Sequence, residues 1–285
     1  MKILVTIPHF FRQQIDAKHG SQKNPTARLQ ALTNCILSLH QLFGKQQSMI
    51  QIGERIAINA NNSQDNVLDI IICTTGDYHL INQIKLPTNF YQHYPTKAEP
   101  MLLGFECHQI LAENLNKYDY YCYLEDDLIM RDSNFFTKLN WFNQLTNYRK
   151  LLQPNRYELT LSLLTTKCYI DGDLLPRVTA PFQDVHEEAE LTLTMMNNSL
   201  IFKRALNPHS GCFFLTNEQL KYCTEKDYFL SKETNFVGAL ESAATLGIMK
   251  TFQIYKTVPE FANFLEIQHY GSAFASLLGS VVQVK

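Results

Sequence analysis

Residues 120–124 read Tyr-Tyr-Cys-Tyr-Leu, then the chain runs straight into Glu125-Asp126-Asp127 and turns apolar again at Leu128-Ile129-Met130. A continuous β-prone run of this kind, with no polar alternation, reads as a strand buried on both faces. Such a strand needs a covering layer on each side, as helices supply to a parallel sheet. The three acids at its end add a second constraint. Like charges so close disfavour one another unless a cation sits among them. Oxygen-rich clusters suit Mg²⁺ or Mn²⁺, which also hold phosphates. The plainer alternative is an acidic turn facing water.

The rest of the first half fits a layered α/β plan. Lys2–Ile7 reads as a strand ending at Pro8. Leu29, Leu32, Ile36, Leu39 and Phe43 recur at helical spacing, so residues 28–43 read as a helix, with Asn24-Pro25 as cap and first residue. Asp69–Thr74 reads as a strand closed by Gly76-Asp77. Met101–Leu115 reads as a helix entered from Pro100, and Phe135–Leu152 as another. This β-α-β-α-β-α order implies a mostly parallel sheet flanked by helices.

The second half is less regular. Glu158–Ile170, Ser199–Phe202, Gly211–Leu215 and Ile248–Tyr255 read as strands. Asn217–Cys223 reads as helical, as does Asn235–Leu246, which Gly247 is expected to end. Residues 171–198 read as a polar excursion. No linker composition separates the halves, so the expectation is one domain over 1–285, with a nucleotide-binding part at 1–152 and an acceptor-binding part at 153–285.

Composition excludes several classes. With 45% apolar and 18% charged residues among 285, the chain is globular and long enough for a sizeable core. A formal net charge of −2 and the lack of a basic stripe argue against nucleic acid as a partner. Seven widely spaced Cys, most in apolar runs and none in a C-x-x-C, suit reduced core thiols and a cytoplasmic setting. Apolar stretches fall short of the ~20 residues a spanning helix needs, so no transmembrane segment is expected. Peripheral contact with a membrane stays open.

Ligands of an open parallel sheet sit beyond the carboxyl ends of its strands. Pro8, His9 and Arg12 after the first strand, Thr75 after the second, and the acid triplet should therefore share one edge. At this point the chain resembles glycosyltransferases of the GT-A fold. The resemblance rests on VTIPHF at the first strand, YLEDDL as a D-x-D-like motif, NPHSGCFFLTNEQL as an acceptor segment and IQHYG near the end. It implies Asp127 and His269 as ligands of Mn²⁺ or Mg²⁺, and Glu125 and Asp126 as contacts to the nucleotide-sugar. It also implies a catalytic or acceptor-binding carboxylate on a helix after the acceptor segment, for which Glu241 is the candidate.

Other candidates come from residue chemistry. Arg12 and Lys97 are cations for a diphosphate, and His209, Ser210 and Gly211 are candidates for the sugar. Asp171-Gly172-Asp173 is a rival D-x-D that is also ordinary turn chemistry. The expected activity is metal-dependent transfer of a sugar from a UDP- or GDP-linked donor to a carbohydrate or other hydroxyl acceptor. Two rivals stand beside it. A sugar-1-phosphate nucleotidyltransferase would need a Gly-rich basic loop after the first strand, which the sequence lacks. A GT-A-like binding domain without turnover would still bind nucleotide with metal.

Overall fold

The structure is a computed structural model that describes residues 1–13, 24–62, 65–162 and 164–284. In chain order its elements are β1 (Lys2–Pro8), α1 (Pro25–Phe43), β2 (Ser48–Gln51), β3 (Ile56–Asn59), β4 (Val67–Thr75), β5 (Gln92–Thr96), α2 (Leu103–Glu113), β6 (Tyr120–Leu124) and β7 (Leu128–Ile129). There follow α3 (Phe135–Leu145), β8 (Lys150–Leu152), β9 (Asn155–Leu159), β10 (Lys167–Tyr169), α4 (Pro176–Thr179), β11 (Glu190–Met195) and β12 (Asn198–Arg204). The last are β13 (Cys212–Thr216), α5 (Asn217–Thr224), α6 (Ala239–Thr251), β14 (Gln253–Thr257) and β15 (Glu266–His269). The architecture is mixed α/β. Two compact units divide the chain: Met1–Ser133 with Phe214–Lys221, and Asn134–Phe213 with Tyr222–Lys285.

The first unit is built on a sheet of order β13-β6-β1-β4-β5. β1 pairs in parallel with β4 and β6, and β4 pairs in parallel with β5. Every residue of β6 is buried, and so is β1 after Lys2. Those continuous apolar runs match strands covered on both faces. α2 packs on β1, β4 and β6, and α1 packs on β4 and β7. The chain moves out from β1 through β4 to β5, then returns to the other side of β1 for β6. This reversal makes the carboxyl edge between β1 and β6 a topological switch point, where open α/β sheets open a crevice.

α1 starts three residues earlier than the apolar periodicity suggests, because Asn24 caps it. The Asn24 side chain accepts from the N–H of Thr26 and Ala27, and Pro25 takes the first helical position. The β2–β3 hairpin, the short β7 and β5, which carries Pro95 on the outer edge of the sheet, escaped the sequence reading.

The second unit holds β11-β12-β14-β8 in one sheet and β10-β9-β15 side by side in another. Three expectations are corrected here. The expected helix to Leu152 stops at Leu145. Asn147 and Tyr148 take positive φ, and Leu151 and Leu152 are buried in β8. The expected strand 158–170 is an antiparallel pair, β9 and β10. Gly247 does not end the last helix. α6 begins at Ala239, passes through Gly247 and reaches Thr251. Eight of its residues are buried, and that burial outweighs a glycine's weak helix preference of about 1 kcal/mol. The polar excursion contains α4 and β11.

Candidate functional site

At the switch point β6 ends at Leu124, and the acid triplet leaves the strand in a turn closed by the Leu128 N–H donating to the Glu125 carbonyl at 3.2 Å. The three side chains of this turn divide between interior and surface. Asp126 is 1% exposed, while Glu125 and Asp127 are half-buried.

The Asp126 carboxylate accepts from His9 Nδ1 at 2.5 Å and pairs with the Arg28 guanidinium. On its other side His9 Nε2 accepts the backbone N–H of Leu80 at 3.0 Å. An imidazole nitrogen that accepts carries no proton, so this His9 is the neutral tautomer with its hydrogen on Nδ1. Arg28 is thus the cation of the cluster. It also donates to Asp127 Oδ2 at 3.1 Å. Burial alone would lower its pKa, but the charges of Asp126, Asp127 and Glu125 overcome that and hold it above the usual arginine value. Just inside the N-terminus of α1 a cation opposes the helix dipole. The carboxylates provide the compensation.

The cation that the triplet demanded on electrostatic grounds is therefore supplied by the protein. Sequence reading treated Arg28 only as the start of a helix, and no local signal marked it. The same charges reach Cys35, whose thiol is pushed well above its ordinary pKa by burial and then by Asp126 and Asp127, with Arg28 opposing.

The other predicted residues of this edge are placed as follows. Pro8 is buried as the last residue of β1. Thr75 is buried at the end of β4 and donates to the Ala98 carbonyl. Arg12 is exposed and lies over the Tyr78 ring at 5.4 Å. Lys97 is exposed. Two histidines join them. His93 Nε2 meets Thr74 Oγ1 at 2.7 Å, and the His79 and His93 rings stand 5.1 Å apart. Burial and the neighbouring histidines lower the pKa of both.

The second unit has its own polar interior. Asp171 accepts from the Arg156 backbone N–H at 3.0 Å and from Arg156 Nε at 2.9 Å, and pairs with Lys256 Nζ at 2.9 Å. Burial would raise the Asp171 pKa, but Lys256 and Arg156 bring it down to about 2. Lys256 also donates to the His209 carbonyl at 2.7 Å. His209 Nδ1 meets Thr245 Oγ1 at 3.0 Å, and burial next to Arg156 holds the imidazole well below its ordinary pKa. The rival D-x-D is thus half consumed, since Asp171 is the buried anchor of a two-cation network.

Glu158, fully buried on β9, accepts the N–H groups of Phe274 and Ala275 at 2.9 and 2.7 Å and faces His269 Nδ1 at 2.8 Å. A carboxylate against Nδ1 fixes the tautomer and turns Nε2 into the ligand-type nitrogen. Sequence reading missed Glu158, although Arg156 and Glu158 at alternate positions of a short strand were the available signal. Ser210 is buried and donates to the Pro154 carbonyl at 2.8 Å. Gly211 takes φ +63°, the left-handed conformation that favours glycine. Glu241 lies in the first turn of α6, its carboxylate folded over Gly238. An acid there is favourable to the helix dipole.

Among the described residues no group of three or more His, Cys, Asp or Glu side chains converges as a metal cage. Mg²⁺ and Mn²⁺ at phosphates commonly use only one or two protein carboxylates, with phosphate oxygens and water completing the shell. Asp127, with a side chain 17% exposed beside the buried Asp126, has the chemistry of such a single ligand. None of the described helices is long and apolar enough to cross a membrane. All seven cysteines are free thiols, and six are buried. No protein-family model matches the chain, and no curated protein matches it.

Proposed function

We propose that the chain is a metal-dependent glycosyltransferase of GT-A type that moves a sugar from a nucleotide-sugar to an acceptor hydroxyl. The observation that carries this reading is the His9–Asp126–Arg28 network, which bridges the ends of β1 and β6 at the switch point and presents Asp127 beside it. Asp127 is the residue that would hold the cation. When bound, the cation would supply Lewis-acid neutralisation of the leaving diphosphate. Within the second unit, His269 is the metal-ligand candidate, its Nδ1 turned to Glu158.

The protein's own groups do the rest. Asp126 orients Arg28 and His9 and keeps the edge rigid. Arg28 limits the negative charge that an incoming diphosphate meets. Arg12 and Lys97, both exposed, are cations available to phosphate oxygens. Glu241 is the carboxylate proposed to meet the acceptor hydroxyl as base or anchor. The test is calorimetric binding of UDP- and GDP-sugars with Mn²⁺, with Mg²⁺ and with chelator. Affinity that needs the cation and is lost in Asp127→Asn supports the proposal. Affinity indifferent to chelator would overturn its metal part and leave Arg28 as the charge that matters. No affinity for any nucleotide-sugar would overturn the whole.

A further inference from the structure

β2 and β3 form a hairpin that no other strand joins among the described residues. Met49, Ile50, Ile52, Ile56 and Ile58 are exposed by 40% to 78%. In the register Met49 stands opposite Ile58, Gln51 opposite Ile56 and Ile50 opposite Ala57. Side chains alternate between faces, so Met49, Ile56 and Ile58 line one face while Ile50 and Ala57 line the other. A two-stranded ribbon alone is marginal in water, and this one exposes apolar surface on both sides.

The backbone narrows what covers it. The Ala60 N–H donates to the Gln47 carbonyl at 2.9 Å. Hydrogen-bonded pairs in an antiparallel ladder recur every second residue, so Ile56 and Ile58 bond inward to β2. Ala57 and Asn59 therefore turn their N–H and C=O outward along the free edge of β3. Exposed edges are usually blunted by Lys, Pro or a bulge, and Ile56-Ala57-Ile58-Asn59 carries neither Lys nor Pro. A lipid surface cannot satisfy these backbone groups, and the turn between the strands carries the charged Glu54 and Arg55. Another strand can satisfy them. Ile56-Ala57-Ile58 also reads the same in both directions, so antiparallel pairing with itself sets isoleucine against isoleucine.

We propose that the outer edge of β3 is a self-association site. It pairs antiparallel with β3 of a second copy about a twofold axis through Ala57, giving a four-stranded sheet of order β2-β3-β3-β2. A twofold normal to a sheet keeps faces matched and so requires this even register. The two Ala57 residues exchange both backbone hydrogen bonds, and the small side chain sits on the axis. Ile56 meets Ile58 of the second copy, and Arg55 meets Asn59, so no like charges stand opposite.

The test is sedimentation velocity of the full chain over about 1 to 100 μM, a range chosen for a contact smaller than a standard interface. Ala57→Pro removes only an outward N–H, so the hairpin tolerates it while the second copy loses a bond. Ile56→Glu with Ile58→Glu sets like charges opposite each other as a second variant. The expected result is a parent dimer and at least a tenfold higher dissociation constant in both variants, with unchanged circular dichroism. A parent that stays monomeric across the range would overturn the proposal. So would variants that dimerise as the parent does, or parent binding to phosphatidylcholine vesicles that Ala57→Pro leaves intact with no dimer in solution.

Discussion

Asp126→Asn isolates what the acid cluster does for the fold from what it offers a ligand. Asp126 accepts from His9 Nδ1 at 2.5 Å and pairs with Arg28, at 1% exposure. Asparagine has almost the same shape but only one acceptor oxygen, and its NH₂ must face one of two donors. The change leaves Arg28 near-buried and facing Asp127 at 3.1 Å. Breaking a buried pair by removing one partner costs roughly 3–5 kcal/mol, because the surviving charge is left uncompensated. That is a large part of the roughly 5–15 kcal/mol that holds a domain together. Asp127 is more exposed than Asp126 and meets Arg28 at 3.1 Å, so Asp127→Asn should cost only about 1 kcal/mol.

The assay is urea unfolding with two probes. The single tryptophan, Trp141, lies in the second unit, so its fluorescence follows that unit. Hydrogen exchange of the β1 and β6 amides follows the first. The expected outcome for Asp126→Asn is faster exchange in β1 and β6 by two or more orders of magnitude, since each 1.4 kcal/mol is about tenfold, with the fluorescence transition little changed. Asp127→Asn should move exchange by no more than about tenfold. Equal exchange rates in Asp126→Asn and the parent would refute the network as a structural device. Equal losses in the two variants would refute the division of roles between them.

The second unit should show an acid-side dependence of its own. The Asp171 pKa is depressed to about 2 from 3.8, so its stabilisation is complete above the unfolded value and is lost as pH falls from about 4 to 2, amounting to about 2 kcal/mol. Asp171→Asn should flatten that part of the stability profile, and an unchanged slope would refute it. His209 is held well below its ordinary pKa, so the unfolded chain takes the proton first and stability falls as pH drops below about 6.5; His209→Gln should reduce that fall in a urea series at pH 5 to 7. Two glycines should respond in opposite directions in thermal unfolding. Gly211→Ala, at φ +63°, should lose about 1 kcal/mol, while Gly247→Ala, inside α6 with open space at its Cβ, should gain about 0.5–1 kcal/mol. Glu241→Gln should cut sugar transfer on the order of 10²-fold if the carboxylate serves as base, with nucleotide affinity within about threefold; transfer at the parent rate would return Glu241 to its place at the start of α6 and move attention to Asp184, Glu187 and Glu188.

What the sequence by itself determined is the frame of the first unit. β1, α1, β4, α2 and β6 follow from apolar runs, helical periodicity and the Asn24-Pro25 cap, because each is set by contacts a few residues apart or by burial strong enough to leave a continuous pattern. The edge on which His9, Thr75 and the triplet meet follows from the parallel order alone. Segments without a strong local signal were not legible. The pair β9–β10 reads as one strand because its turn carries no Gly or Pro signal. The end of α6 depends on buried neighbours that outweigh Gly247, and the β2–β3 ribbon lacks the strong turn pair of a tight hairpin. Tertiary structure alone decided the electrostatics. Arg28 lies about a hundred residues from Asp126 and Asp127, and Lys256 lies 85 from Asp171. No local pattern records which cation a buried carboxylate meets, because that choice depends on which chain segments the fold brings side by side and on the cost of leaving either charge alone in a medium that water cannot reach.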